Sequence, residues 1–194
     1  MTEPGLLLIR GLGHSGSTIL DLALGAHPQL IGLGEAVRVL ERPRLGEEHK
    51  GPQQLRGDLR FERRCTCGEL AGDCPVWGPL LAWLPAHDDR PLAEKLNRLI
   101  EPMTATSPRW LVESFQADEQ LLEAQALGRP VRVIQLTRDV RSWVHSESRR
   151  GVERHGRGGT VGWRSMLRWW RVNRRWEQRL NRSGCAVFRL GYEE

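Results

Sequence analysis

Lysine is almost missing from this chain of 194 residues: only Lys50 and Lys95 stand among 29 cationic side chains. Arginine therefore carries nearly all the positive charge, which suits planar, bidentate anion binding. A compositional bias towards arginine gives the same count, so the skew alone decides nothing. Against 24 acidic residues the net charge is +5, an excess too modest to require a nucleic-acid partner. No apolar run approaches the length of a membrane span. The opening Met1-Thr-Glu-Pro-Gly5 has no basic leader, and Leu6–Ile9 is too short for a signal sequence, so the expectation is a cytoplasmic chain. Cysteine is scarce, four in all, and in that compartment the thiols are expected to be reduced unless they hold a metal. Repeats and low-complexity tracts are lacking, and 39% apolar with 27% charged residues excludes disordered, collagen-like and coiled-coil classes.

What is there alternates between strand and helix patterns. Apolar runs at 6–9, 30–33, 110–113, 131–137 and 185–190 read as strands. Helical character follows at 17–24, 76–84, 91–103, 118–127, 139–149 and 161–181. Residues 42–64 are polar and turn-rich and are expected to form a loop of low order. Alternation predicts an α/β fold, a P-loop-type parallel sheet with helices on both faces. One domain over 1–194 is the economical reading, with an irregular insert at about 42–78.

The strongest local signal is the glycine-rich turn Gly11-Leu-Gly-His-Ser-Gly-Ser-Thr18 between the first strand and the first helix. Backbone N–H groups at a helix N-terminus bind phosphate-like anions, and glycine lets the backbone approach their oxygens. Gly11-x-Gly13-x-x-Gly16 fits a dinucleotide fingerprint, with Glu35 near where a ribose-binding acid belongs. Gly11-x4-Gly16-Ser17-Thr18 instead fits a P-loop lacking the lysine that a nucleotide triphosphatase needs, which disfavours ATP or GTP hydrolysis. The bland alternative is a glycine turn with no ligand.

His14-Ser15-Gly16-Ser17-Thr18 resembles the 5′-phosphosulfate loop of sulfotransferases that use 3′-phosphoadenosine 5′-phosphosulfate (PAPS), with histidine where lysine or arginine is usual. The continuation Leu20-x-x-x-Leu24-x-x-His27-Pro28 follows the bacterial and tyrosylprotein branches. Arg138 at a strand end, with Ser146 eight residues later, resembles the 3′-phosphate site of that family, and Arg141 and His145 extend the likeness. Two motifs in the right order about 120 residues apart are more specific than either alone. The resemblance implies PAPS as co-substrate, bound by Gly13, His14, Ser15, Gly16, Ser17, Thr18, Arg138 and Ser146, with no metal required. Gly34-Glu35-x-x-Arg38-Val39 is similar to the stretch whose glutamate takes the acceptor's proton. Glu35 is therefore the expected base, His14 the expected partner of the leaving group and Arg38 a substrate contact. An ordinary capping role for Glu35 is the competing reading. Leu111-Val-Glu-Ser-Phe-Gln116 departs from the family's Val-Asp-Ser-Ser-Lys, with Gln116 in place of the lysine.

Cys65-x-Cys67-Gly68-x5-Cys74-Pro75-x-Trp77 resembles an insert of bacterial sulfotransferases. Three thiols fall one short of a structural Zn²⁺ site unless His49 or His87 contributes, so reduced thiols beneath a loop are the expectation. The stretch from Trp163 to Arg182 mixes arginines with tryptophans, as single-stranded nucleic-acid binders do. Trp169, Val172, Trp176 and Leu180 nevertheless fall at helical spacing, which favours one core stripe under an arginine-coated face. The acceptor is expected to be a carbohydrate, a tyrosyl group or a small molecule. A Rossmann-type NAD-dependent oxidoreductase and a non-catalytic nucleotide-binding module remain alternatives. The last segment, Val187 to Glu194, resembles a strand end that relatives carry well before their C-terminus, so the family's C-terminal part is expected to be missing.

Overall fold

A computed structural model describes residues 4–43, 45–46, 51–65, 67–106, 109–116, 128–155 and 162–193. The apolar runs form five strands: β1 (Gly5–Gly11), β2 (Leu30–Gly32), β3 (Trp110–Glu113), β4 (Val131–Thr137) and β5 (Ala186–Gly191). They pair in the order β2-β3-β1-β4-β5, and every pairing is parallel. All five carboxyl ends therefore open on one edge.

Alternation of side chains along a strand splits the sheet into two faces. Leu6 and Leu8 join Leu111, Val131 and Val133 on one face. That face is covered by α2 (Val37–Leu40), α4 (Trp77–Trp83), α5 (Leu92–Ile100) and α7 (Gly162–Ser183). Ile9, Val112 and Leu136 point the other way, against Leu20 and Leu24 of α1 (Ser17–Gly25). Burial on both sides is what a continuous apolar run such as Leu6–Ile9 requires. On α7, Trp176 and Leu180 are buried and Val172 packs beside them, while Trp163, Met166 and Trp170 stay exposed. The expected stripe is met at Val172, Trp176 and Leu180, whereas Trp169 is half-buried outside that cluster and reaches the loop after β4.

Arg10 interrupts the apolar run of β1 and finds Glu113 on β3 at 2.9 Å, both side chains fully buried. Such a pair is costly to desolvate and strongly destabilising to break from one side. Arg10 Nη1 also donates to the Ile9 carbonyl at 2.9 Å, and Glu113 accepts the Phe115 amide at 2.8 Å.

The described part of the 42–64 stretch is more ordered than its sequence suggests. It contains a 3-10 turn at Gly51–Arg56 and the short α3 (Leu59–Glu62), with Gln53 buried and Leu55 packed on the core. Arg56 fastens it, donating to the Glu41 carbonyl at 3.0 Å and pairing with Asp88. These contacts are long-range, so no local period announces them. The helix expected at 118–127 lies outside the described residues. The helix expected at 139–149 is longer, α6 (Val140–His155).

Candidate active site

In an open parallel sheet, ligands bind beyond the carboxyl ends where chain connections diverge to opposite sides. Here β1 connects towards β2 and β3 on one side, while β4 lies on the other. Gly11 stands opposite Leu136, so the loops leaving β1 and β4 emerge side by side. A Cβ at Gly11 would collide with the Leu136 carbonyl, so the close approach of the two strands needs glycine there.

The first loop is shaped by two left-handed residues, His14 at φ 71° and Gly16 at φ 95°. Gly16 is the N-cap of α1 and, having no side chain, offers none to the first-turn amides. Those amides are a ready anion site. Ser15 donates its own amide to the Leu12 carbonyl at 3.2 Å, while its buried hydroxyl has no partner. Ser17 and Thr18 begin the helix, Thr18 in the open.

Distant residues hold the loop in this shape. Trp143 Nε1 on α6 donates to the Gly13 carbonyl at 2.9 Å, and Arg138 Nη1 donates to the His14 carbonyl at 3.2 Å. Trp169 Nε1 on α7 donates to the Arg138 carbonyl at 2.8 Å. The Arg138 guanidinium lies 4.8 Å from the Tyr192 ring centre, and that ring fills the space a Cβ on Gly16 would need. Asp139 caps α6 by accepting the Arg141 and Ser142 amides at 2.9 and 3.3 Å. The Arg141 side chain holds the Asp139 carboxyl below its usual range.

Ser146 is half-buried on α6, between two residues that touch the loop. Trp143 is three positions before it and Glu147 one after, and the Glu147 carboxylate lies 3.7 Å from His14 Nε2. Residues three and four apart share a helix face, so Ser146 belongs to the face turned towards the loop. Glu147 also pairs with Arg168 at 3.4 Å.

The second half of the site gathers around the end of β2. Asp21 on α1 is buried, and its carboxylate accepts the Ser114 hydroxyl at 2.8 Å and the Gly34 amide. Burial raises the Asp21 pKa, against the lowering effect of those two hydrogen bonds. Ser114 N donates to the Gly34 carbonyl at 2.9 Å. One carboxyl thus ties α1 to the ends of β2 and β3. Glu35 follows directly, partly exposed, with Arg38 Nη1 at 3.4 Å. Arg38 in turn lies over the Phe115 ring at 5.5 Å. Gln116 donates to the Ile9 carbonyl at 3.2 Å, pinning the end of β3 to β1. Glu35 opens onto a cavity of about 500 Å³ lined by Leu55, Cys74, Trp77 and Met103 among others.

Sequence reasoning missed Asp21, Trp143, Glu147, Trp169 and Tyr192 as parts of this site. Only the tertiary fold assigns them. The three cysteines of the insert converge: their sulfurs lie within 4.8 Å of one another. His87 does not join them, being stacked on Trp83 with Nδ1 2.8 Å from the Trp83 carbonyl oxygen. His49 is outside the described residues.

Strand order also bears on the dinucleotide reading. In that fold the ribose-binding acid ends a strand adjacent to β1. Here β3 intervenes, setting the strand that precedes Glu35 about 10 Å from β1 at ordinary spacing. The dinucleotide reading is not favoured.

A parallel sheet with helices on its faces, a glycine loop leading from its central strand into a helix and an arginine from the next strand facing that loop, defines an α/β fold. More particularly, the fold is that of a sulfotransferase domain. The chain is similar to the sulfotransferase domain from the curacin biosynthetic pathway, with a TM-score of 0.63 and 20% identity, over 100% of this chain and 69% of that one. A sulfotransferase domain from the Synechococcus olefin synthase matches with a TM-score of 0.48 and 18% identity, over 100% of this chain and 68% of that one. No family model and no curated protein matches the sequence. Among the described residues, no helix is long and apolar enough to cross a membrane.

Proposed function

We propose that this chain transfers a sulfuryl group from PAPS to a hydroxyl or amine of an acceptor held in the cavity beside Glu35. The observation that carries the reading is the meeting of Arg138 with the His14 carbonyl at 3.2 Å, which sets a guanidinium beside an uncapped helix start. PAPS carries two anionic groups, one at each end of its ribose, and a protein that binds it needs two adjoining anion sites. The loop amides and the Ser15, Ser17 and Thr18 hydroxyls take the 5′-phosphosulfate. Arg138 and Ser146 take the 3′-phosphate, by charge-assisted hydrogen bonding.

Sulfuryl transfer asks for in-line geometry and for stabilisation of charge on the equatorial oxygens, as phosphoryl transfer does. The acceptor oxygen attacks sulfur while Glu35 takes its proton. The bond from sulfur to the bridging phosphate oxygen breaks, and 3′-phosphoadenosine 5′-phosphate leaves with the electron pair. Loop amides and His14 stabilise the departing oxygen. The donor has a single 5′-phosphate, so the missing triphosphatase lysine costs this chemistry nothing. Arg38, ion-paired with Glu35, orients the carboxylate and borders the acceptor.

Calorimetric titration with 3′-phosphoadenosine 5′-phosphate, with NAD as the control, tests the reading. Saturable binding of the first alone is expected, together with acceptor sulfation from PAPS. Binding of NAD in its place would overturn it.

A further inference from the structure

Cys65 and Cys67 sit on a tight turn, closed by Gly68 N donating to the Cys65 carbonyl at 3.0 Å and by Cys65 N donating to the Glu69 carbonyl at 2.8 Å. Arg64 reinforces the turn from outside, donating to the Gly68 carbonyl at 2.8 Å. Cys74 is buried just before α4, and its sulfur accepts the backbone amides of Val76 and Trp77. None of these cysteines is in a disulfide.

We propose that Cys65, Cys67 and Cys74 form a three-thiolate site for one thiophilic divalent cation of the Zn²⁺ type, with water completing the fourth position. A tetrahedral Zn²⁺ with bonds of about 2.3 Å sets its sulfurs about 3.8 Å apart. The three sulfurs already lie within 4.8 Å of one another, so small rotamer changes reach that geometry. Thiolate ligands select soft or borderline metals over Mg²⁺ and Ca²⁺. Two backbone amides aimed at one sulfur stabilise a thiolate, and they are fixed by the chain at no side-chain cost.

A cation here would clip the Cys65–Gly68 turn to the start of α4. Cys65, Cys67, Cys74 and Trp77 line the same cavity as Glu35, so the metal would fix one wall of that cavity. Its role is to hold shape, and no step of the transfer passes through it.

The test uses the whole chain, reduced and stripped of metal, titrated with Co²⁺ and then Zn²⁺. One equivalent of Co²⁺ is expected, giving thiolate charge-transfer absorption and tetrahedral visible bands that Zn²⁺ abolishes. Cys67→Ser and Cys74→Ser should each weaken binding at least tenfold, while Cys185→Ser, outside the cluster, should leave it unchanged. A wild-type titration with no thiolate–cobalt absorption would overturn the proposal whether or not the variants fold. So would a disulfide within the trio, found by mass spectrometry of protein alkylated as purified.

Discussion

The two halves of the candidate site are built by opposite means. On the anion side, side chains from α6, α7 and the loop after β4 donate to main-chain carbonyls, at Gly13, His14 and Arg138. What they hold in place is backbone, and backbone amides recognise any anion of the right size. On the Glu35 side, a buried carboxyl ties the strand ends together, and apolar walls from the insert and α4 shape the space. The contrast teaches where selectivity resides. Under the proposed function, loop conformation would recognise the 5′-phosphosulfate, and the particular side chains of an irregular segment would recognise the acceptor.

Changes on each side should therefore separate binding from turnover. The largest effect belongs to Glu35→Gln, which should lower sulfate transfer by about 10²- to 10⁴-fold, the usual share of a general base. Affinity for 3′-phosphoadenosine 5′-phosphate should stay as it was, and a parallel loss would dissolve the distinction between the halves. Next comes Arg138→Ala, which removes a charged hydrogen-bond donor worth about 1.5–3 kcal/mol and should weaken that nucleotide about 10- to 100-fold by calorimetry.

Gly16→Ala should cost about 1–2 kcal/mol for its left-handed backbone, and overlap with the Tyr192 ring adds about 1–3 kcal/mol. Denaturant melts of Gly16→Ala with and without Tyr192→Ala would separate the two contributions, since only the overlap is relieved in the double variant. Trp143→Phe keeps an aromatic ring but loses the hydrogen bond to Gly13, worth about 1 kcal/mol, and leaves a cavity at a buried position, with a small loss of nucleotide affinity.

Asp21 gives the smallest and most conditional effect. Its folded pKa is raised above the ordinary 3.8 by burial, so the folded state keeps a proton that the unfolded chain releases. Asp21 therefore opposes folding increasingly as pH rises from about 4 through the raised value. Melting temperatures of Asp21→Asn against the original chain should shift in favour of asparagine over that window and then level off. A flat difference would mean that the hydrogen bonds to Ser114 and Gly34 cancel desolvation, and a shift of the opposite sign that they outweigh it.

The strands and the glycine loop were legible in the sequence because their signals are local: apolar runs bounded by turn residues, and glycines at a spacing set by the backbone. Arg138 was legible for the same reason, as a charge at the end of an apolar run. Arg10 carried a similar sign, a cation inside a strand pattern, but its partner Glu113 lies 103 residues away and no local pattern links the two. Strand order was not legible, and it is what separates the sulfotransferase-like fold from the dinucleotide one. Asp21, Trp143 and Tyr192 stand on segments whose pattern is explained by helix or strand alone. Their second role exists only after the chain has folded, as does the convergence of the three sulfurs.

The Tyr192 ring against Gly16 has a consequence for how the protein comes to be folded. The loop is eight residues of continuous sequence, yet its fasteners are far along the chain, 124 residues away for His14 and 130 for Gly13. Contacts of that separation form late, because the intervening chain must first be ordered. The anion loop should thus be among the last parts to become native, and a ligand that grips it would read out completed folding more faithfully than helix content does.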